Sequence, residues 1–295
     1  MKKSILQASF EESLKLEEDG FRKLQQEQHD KTARKFRQGV PTFGFKIQCF
    51  ILTMLFPVGF SYLLSLGAAK FTTNDLGQLK VQPASQNFFP WQVYILFLSI
   101  WLLLIIIGKL FHQAFILPYR YQFHLFSFLL IFYAEVDLAM FGILLANLPI
   151  YLILGYVIIW IFLVYFMFTS KIKAIRKNLF NNDSQPTFQD KIAKAIGIYG
   201  IGLLGLAFIL QKILTMFFGK VPSSLEDIGM LIIFMIANIL MPAILIFIGI
   251  PYFLQAYYKL KYPEQYRKYE GKSWEEFYGQ KYLKKHKELL NHETR

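Results

Sequence analysis

Long apolar runs decide what this chain can become. Six stretches of mostly apolar residues, 47–69, 93–117, 121–145, 150–170, 195–218 and 228–252, approach or exceed the roughly 20 residues that a helix needs to cross the hydrocarbon core of a bilayer. Inside lipid every backbone N–H and C=O must be satisfied by the protein itself, so such runs become helices. The expected fold is therefore all-α: a polytopic membrane bundle of about six transmembrane helices, with amphipathic helices in the N- and C-terminal tails. Composition agrees. Of 295 residues, 55% are hydrophobic and only 18% charged, where a soluble domain carries about a quarter. Three regions follow: a charged tail over 1–46, a membrane domain over 47–252 and an aromatic, basic tail over 253–295.

Local residues refine the spans. Pro57 and Gly59 predict a kink in the first, which neighbouring helices tolerate in a membrane. The second is expected to continue toward Leu117, with Lys109, His112 and Gln113 snorkelling to the headgroups. Pro242 is expected to interrupt the sixth and Pro251 to end it.

Orientation follows from lysine and arginine. With the N-terminus inside, the short inner loops carry eight such residues and the outer loops three, Lys70, Lys80 and Lys220; each tail adds ten more inside. Both termini are expected on the cytoplasmic side of the cell (plasma) membrane. Phe88, Phe89 and Trp91 suit the outer interface. The net charge of +12 is explained by chain orientation and contact with anionic lipid, so the bilayer is the expected partner and nucleic acid is not. Cys49 is the single cysteine, which excludes an intrachain disulfide. The first 45 residues are charged, so the first span is expected to serve as the insertion signal.

Both tails read as helical. Phe10, Leu14, Phe21 and Leu24 make one narrow apolar stripe. In the C-terminal tail, Pro263 opens a short helix that Gly271 ends, and Ser273 with Glu276 forms a capping box for the next. Tyr262, Tyr266 and Tyr269 form one aromatic stripe and Trp274, Phe277, Tyr278 and Tyr282 another, followed by Lys281, Lys284, Lys285 and Lys287. Aromatic and basic faces on one helix favour the membrane interface over a partner protein.

Charges inside the membrane are the most specific signal. Glu135 and Asp137 sit near the middle of the third span, where a charge costs about 2.5–3.5 kcal/mol even on insertion scales. They project about 160° apart around the helix axis. Counted from the span ends, Lys212 of the fifth span and Asn238 of the sixth lie at similar depth to Asp137. Glu135, Asp137, Lys212 and Asn238 are the candidate binding residues, as one buried polar cluster. Its functional reading is an ion, proton or substrate pathway; its structural reading is a paired cluster that sets helix registry. Gly197, Gly200, Gly202 and Gly205 in the fifth span point to close helix packing.

No motif supports an enzyme, a metal or a cofactor. The five histidines are scattered without metal-ligand spacing, and no Gly-x-Ser-x-Gly occurs. Gly271-Lys272-Ser273 lacks the earlier glycine of a phosphate loop, because that position is Tyr266. Glu17-Glu18-x-x-x-Arg22 matches a spacing of membrane-embedded CAAX-type proteases, but it lies in a charged tail. Six spans, inside termini and a leading amphipathic helix resemble in layout the permease subunit of some ABC-type exporters. That resemblance carries no residues over; it implies a transport component working with a cytoplasmic ATPase. The alternatives are a non-catalytic accessory or immunity protein that guards against a membrane-active toxin through a partner membrane protein, and a membrane enzyme of unrecognised type.

Overall fold

The computed structural model describes residues 3–17, 27, 29–37, 40–73, 82–180, 234 and 238–286. Among these the fold is an all-α bundle with a minimal hairpin. In the N-terminal tail, α1 (Phe10–Leu14) starts at a capping box made by Ser9 and Glu12. Two short strands, β1 (Phe36–Arg37) and β2 (Val40–Pro41), pair antiparallel with Phe36 opposite Pro41. Five helices are long and apolar enough to cross a membrane: α2 (Phe43–Lys70), α3 (Trp91–Gly108), α4 (Leu117–Asn147), α5 (Ile150–Phe180) and α6 (Asn238–Lys261). Three short helices follow, α7 (Pro263–Tyr269), α8 (Trp274–Tyr278) and α9 (Gln280–Lys285). The expected fifth span, 195–218, and most of the first ten residues of the sixth lie outside the described residues.

Pro242 and Pro251 act differently from the sequence expectation, whereas Pro57 marks a local departure from the regular helix. Pro57 sits in a π turn, Met54–Phe60, that α2 absorbs without breaking. A second π turn, Leu245–Gly249, precedes Pro251. Pro251 therefore does not end α6, which runs on to Lys261. A widened turn relieves the clash between the pyrrolidine ring and the preceding turn, so the helix survives the missing N–H. Pro242 does not interrupt α6 either.

The second span also differs: α3 stops at Gly108 instead of continuing to Leu117. Packing and hydrogen bonding make the turn. A Cβ on Gly108 would lie 2.5 Å from the His124 ring of α4, so a side chain here would push the imidazole away. Arg120 Nη1 then donates to the Phe111 carbonyl at 2.9 Å. The segment 109–113 closes an α3–α4 hairpin.

Among the described residues two cores hold the bundle. At the end remote from the tails, Ala68, Phe89, Tyr94 and Ala139 pack together. There Asn147 and Gln82 exchange two hydrogen bonds, at 2.8 and 2.9 Å, and pin the loop after α2 to the end of α4. The larger core lies at the tail end and joins Ala8, Leu16, Phe115, Leu179, Tyr258 and Phe277. Both tails therefore meet at one end of the bundle. Elsewhere α3 and α5 turn large apolar side chains outward, including Leu103, Ile106, Ile158 and Phe162, the surface a lipid solvent requires.

Candidate functional site

The middle of α4 carries both acids. Glu135 is almost fully buried, with 2% of its surface exposed. It faces α2 and α3, where the Ser61 and Tyr94 side chains lie in interaction range. Asp137 faces the other way, toward Tyr133 of its own helix and Asn238 of α6. Tyr156 of α5 approaches both Asp137 and Asn238. This divergence is what a 160° separation around a helix demands. Asp137 and Asn238 are brought together, and Glu135 belongs to a separate environment. Lys212 lies outside the described residues.

Asn238 is held by its backbone as well. Position 242, four residues on, is proline and has no N–H to offer the Asn238 carbonyl. That carbonyl instead accepts from Trp160 Nε1 at 2.7 Å and from the Tyr133 hydroxyl at 3.4 Å. A carbonyl freed by proline inside a membrane must find such donors. Two side chains from α4 and α5 thus clamp α6 at the depth of the acids.

Four polar atoms here are buried without a hydrogen-bond partner among the described residues: Ser61 Oγ, Glu135 Oε2, Asp137 Oδ1 and Tyr156 OH. Orphaned polar groups are rare in folded proteins and call for an explanation, more so in lipid. No group of three or more His, Cys, Asp or Glu side chains among the described residues is placed to hold a metal ion.

The tails form a second polar region, at the end of the bundle where they meet. The expected capping box at Ser273 and Glu276 is present, and Gly271 takes a positive φ of 62° at the preceding turn. Much of the aromatic surface of this tail packs on the chain itself. The Tyr258 hydroxyl accepts from the Ala8 amide at 3.1 Å and donates to the Ile5 carbonyl. Tyr262 donates to the Ala8 carbonyl, and the Tyr266 and Ser13 hydroxyls bond at 2.8 Å. Phe277 stacks on Phe115 with ring centroids 4.3 Å apart. A tethered segment binds without the translational cost of a separate partner, which favours these intramolecular contacts.

Within this module Lys259, 4% exposed, pairs with Glu270 at 2.5 Å, and Lys272 joins at 2.7 Å. Burial pushes the Glu270 carboxyl up, but the two lysines outweigh it and hold it below its ordinary range. His29 lies against Tyr119, 4.6 Å between ring centroids, and its Nδ1 is 3.0 Å from the Tyr252 hydroxyl. Burial, with the Lys259 ammonium adding to it, pushes His29 down to about 3, so its imidazole is neutral.

Sequence reasoning passed over Trp160, Tyr156 and Ser61 as site residues. Only one signal for Trp160 existed: Pro242 four residues after Asn238 marks a carbonyl in need of a donor. No protein-family model matches this chain, and no curated protein or solved structure shows significant similarity to it.

Proposed function

We propose that this protein is a membrane transport component, a permease-like subunit working with an ATP-hydrolysing partner, and that the polar groups of α4, α5 and α6 form its intramembrane binding site. The observation that carries this reading is Asp137 Oδ1, a carboxyl oxygen facing α5 and α6 with no partner among the described residues; Glu135 Oε2, on the α2 and α3 side of the same helix, is a second such oxygen. Buried ionisable groups at membrane depth are expensive and mark ion or substrate paths. The clamp on Asn238 supports the reading, because a binding group must be held in place to act. In this arrangement the Asp137 carboxylate would accept protons or hydrogen-bond donors from a passing ligand. The test is purification of the full chain in mild detergent from its native membrane. An ATP-hydrolysing protein should remain attached, and ATP hydrolysis by the reconstituted complex should fall at least about tenfold in Asp137→Asn while the complex stays monodisperse. If no such partner remains, or hydrolysis ignores both Asp137→Asn and Glu135→Gln, the proposal fails.

A further inference from the structure

A cavity of about 240 Å³ opens at the tail end of the bundle, between the β1–β2 hairpin, the α3–α4 turn and α9. Its wall includes Val40, His112, Arg120, Tyr278, Lys281 and Lys285. Three of these are cations, one is an imidazole, and no carboxylate lines the cavity. Among the described residues none of the three cations forms an ion pair. Lys281 and Lys285 are exposed one turn apart on α9, while Arg120 is half-buried and braced by its bond to the Phe111 carbonyl. Glu264, the acid hydrogen-bonded to Tyr278, is itself engaged by Arg267. The cavity thus concentrates uncompensated positive charge.

Its surroundings indicate what neutralises that charge. Two residues beyond β2 stands Phe43, 78% exposed, and two residues before His112 stands Leu110, 72% exposed. Large apolar side chains left outward at the ends of membrane helices belong against acyl chains. The cations therefore lie where a bilayer passes from hydrocarbon to headgroup. Basic pockets between membrane helices at this level take anionic headgroups, and Arg adds paired donors matched to phosphate oxygens.

We infer that this cavity binds the phosphate of an anionic phospholipid, with Arg120, Lys281 and Lys285 as its ligands and the acyl chains lying toward Phe43 and Leu110. Such a lipid would tie α9, and with it the tail module, to the α3–α4 hairpin.

The shared chemistry is a phosphate, so the experiment separates a lipid from a free anion. The full chain in mild detergent is titrated with dioleoylphosphatidylglycerol, with dioleoylphosphatidylcholine and with inorganic phosphate, and binding is read by native mass spectrometry and by the melting midpoint. Phosphatidylglycerol should bind saturably and phosphatidylcholine should not. Each lysine near an anionic surface is worth about fivefold, so Lys281→Gln with Lys285→Gln should weaken binding about 25-fold. Lys268→Gln with Lys284→Gln removes the same charge from the same tail outside the cavity and should change binding by less than about threefold. Both pairs should melt like the parent without lipid, since these four side chains are exposed. Equal weakening by the two pairs would show diffuse attraction to the tail and overturn the site. Equal binding of phosphatidylcholine, or saturable binding of inorganic phosphate as tight as that of the lipid, would overturn the lipid assignment.

Discussion

Replacing Trp160 with Phe removes the indole N–H that reaches the Asn238 carbonyl at 2.7 Å. The Tyr133 hydroxyl, at 3.4 Å, is too long to replace it fully. A buried acceptor that loses its donor costs about 1–3 kcal/mol, while hydrogen bonds measured inside membrane proteins average about 0.6 and reach about 1.7 kcal/mol. Trp160→Phe should therefore destabilise the fold by about 1–2 kcal/mol. Part of that loss is packing, so a second background isolates the hydrogen bond. Pro242→Ala restores an N–H four residues after Asn238, the natural partner of that carbonyl. In the Pro242→Ala background Trp160→Phe should retain only its packing cost, leaving a coupling of about 1 kcal/mol between the two positions. The assay is reversible unfolding of the four proteins in mixed micelles by titrated denaturing detergent, followed by tryptophan-independent far-UV circular dichroism. If Trp160→Phe costs the same in both backgrounds, the indole is packing alone and the proline has orphaned nothing.

Three further outcomes are expected. The folded chain keeps His29 neutral down to about pH 3 whereas a free imidazole protonates near 6.5, so the undocked state binds the extra proton; stability is full above pH 6.5 and falls on acidification, by about 2 kcal/mol at pH 5. Glu270, held below its ordinary value, adds a loss of the same sign at lower pH, and thermal melts at pH 7 and pH 5 should converge in His29→Gln. Removing one partner of a buried ion pair costs about 3–5 kcal/mol, so Lys259→Met should lie near the low end, because Lys272 still reaches Glu270; Lys259→Met with Glu270→Gln should recover much of it in the same melts. A Cβ on Gly142 would come within 2.6 Å of the Gln86 carbonyl, a backbone atom with little room to yield, so Gly142→Ala should cost about 1–3 kcal/mol and speed proteolysis of the loop before α3.

Periodicity and run length were enough to place α2 through α5 and the last membrane helix, because a bilayer admits one kind of solution for an apolar run. Capping at Ser273 with Glu276 was equally legible, a local signal complete within four residues; Ser9 with Glu12 is the same kind of signal, but the sequence reading passed it over. Helix ends governed by distant contacts were not. The end of α3 at Gly108 lies where His124 approaches and Arg120 binds the Phe111 carbonyl, neither of which is visible from the apolar run. The prolines at 242 and 251 misled for a related reason, since α6 continues through both, with a π turn, a collective adjustment of several residues, between them.

At the candidate site the sequence by itself determined that Glu135 and Asp137 lie midway along one membrane-length helix and diverge around it, because 100° per residue is a property of the backbone. Only the tertiary structure decided which helices each acid meets, Ser61 and Tyr94 for one, Tyr156 and Asn238 for the other. The same holds for the tails. Their aromatic and apolar stripes were written in the sequence, yet an apolar stripe is the same signal whether it covers lipid, a partner or the chain's own N-terminus. What separates these is the geometry that brings Ala8 and Ser13 against Tyr258 and Tyr266, some 250 residues away along the chain. Contacts of that separation depend on the whole fold being in place, and no local pattern encodes them.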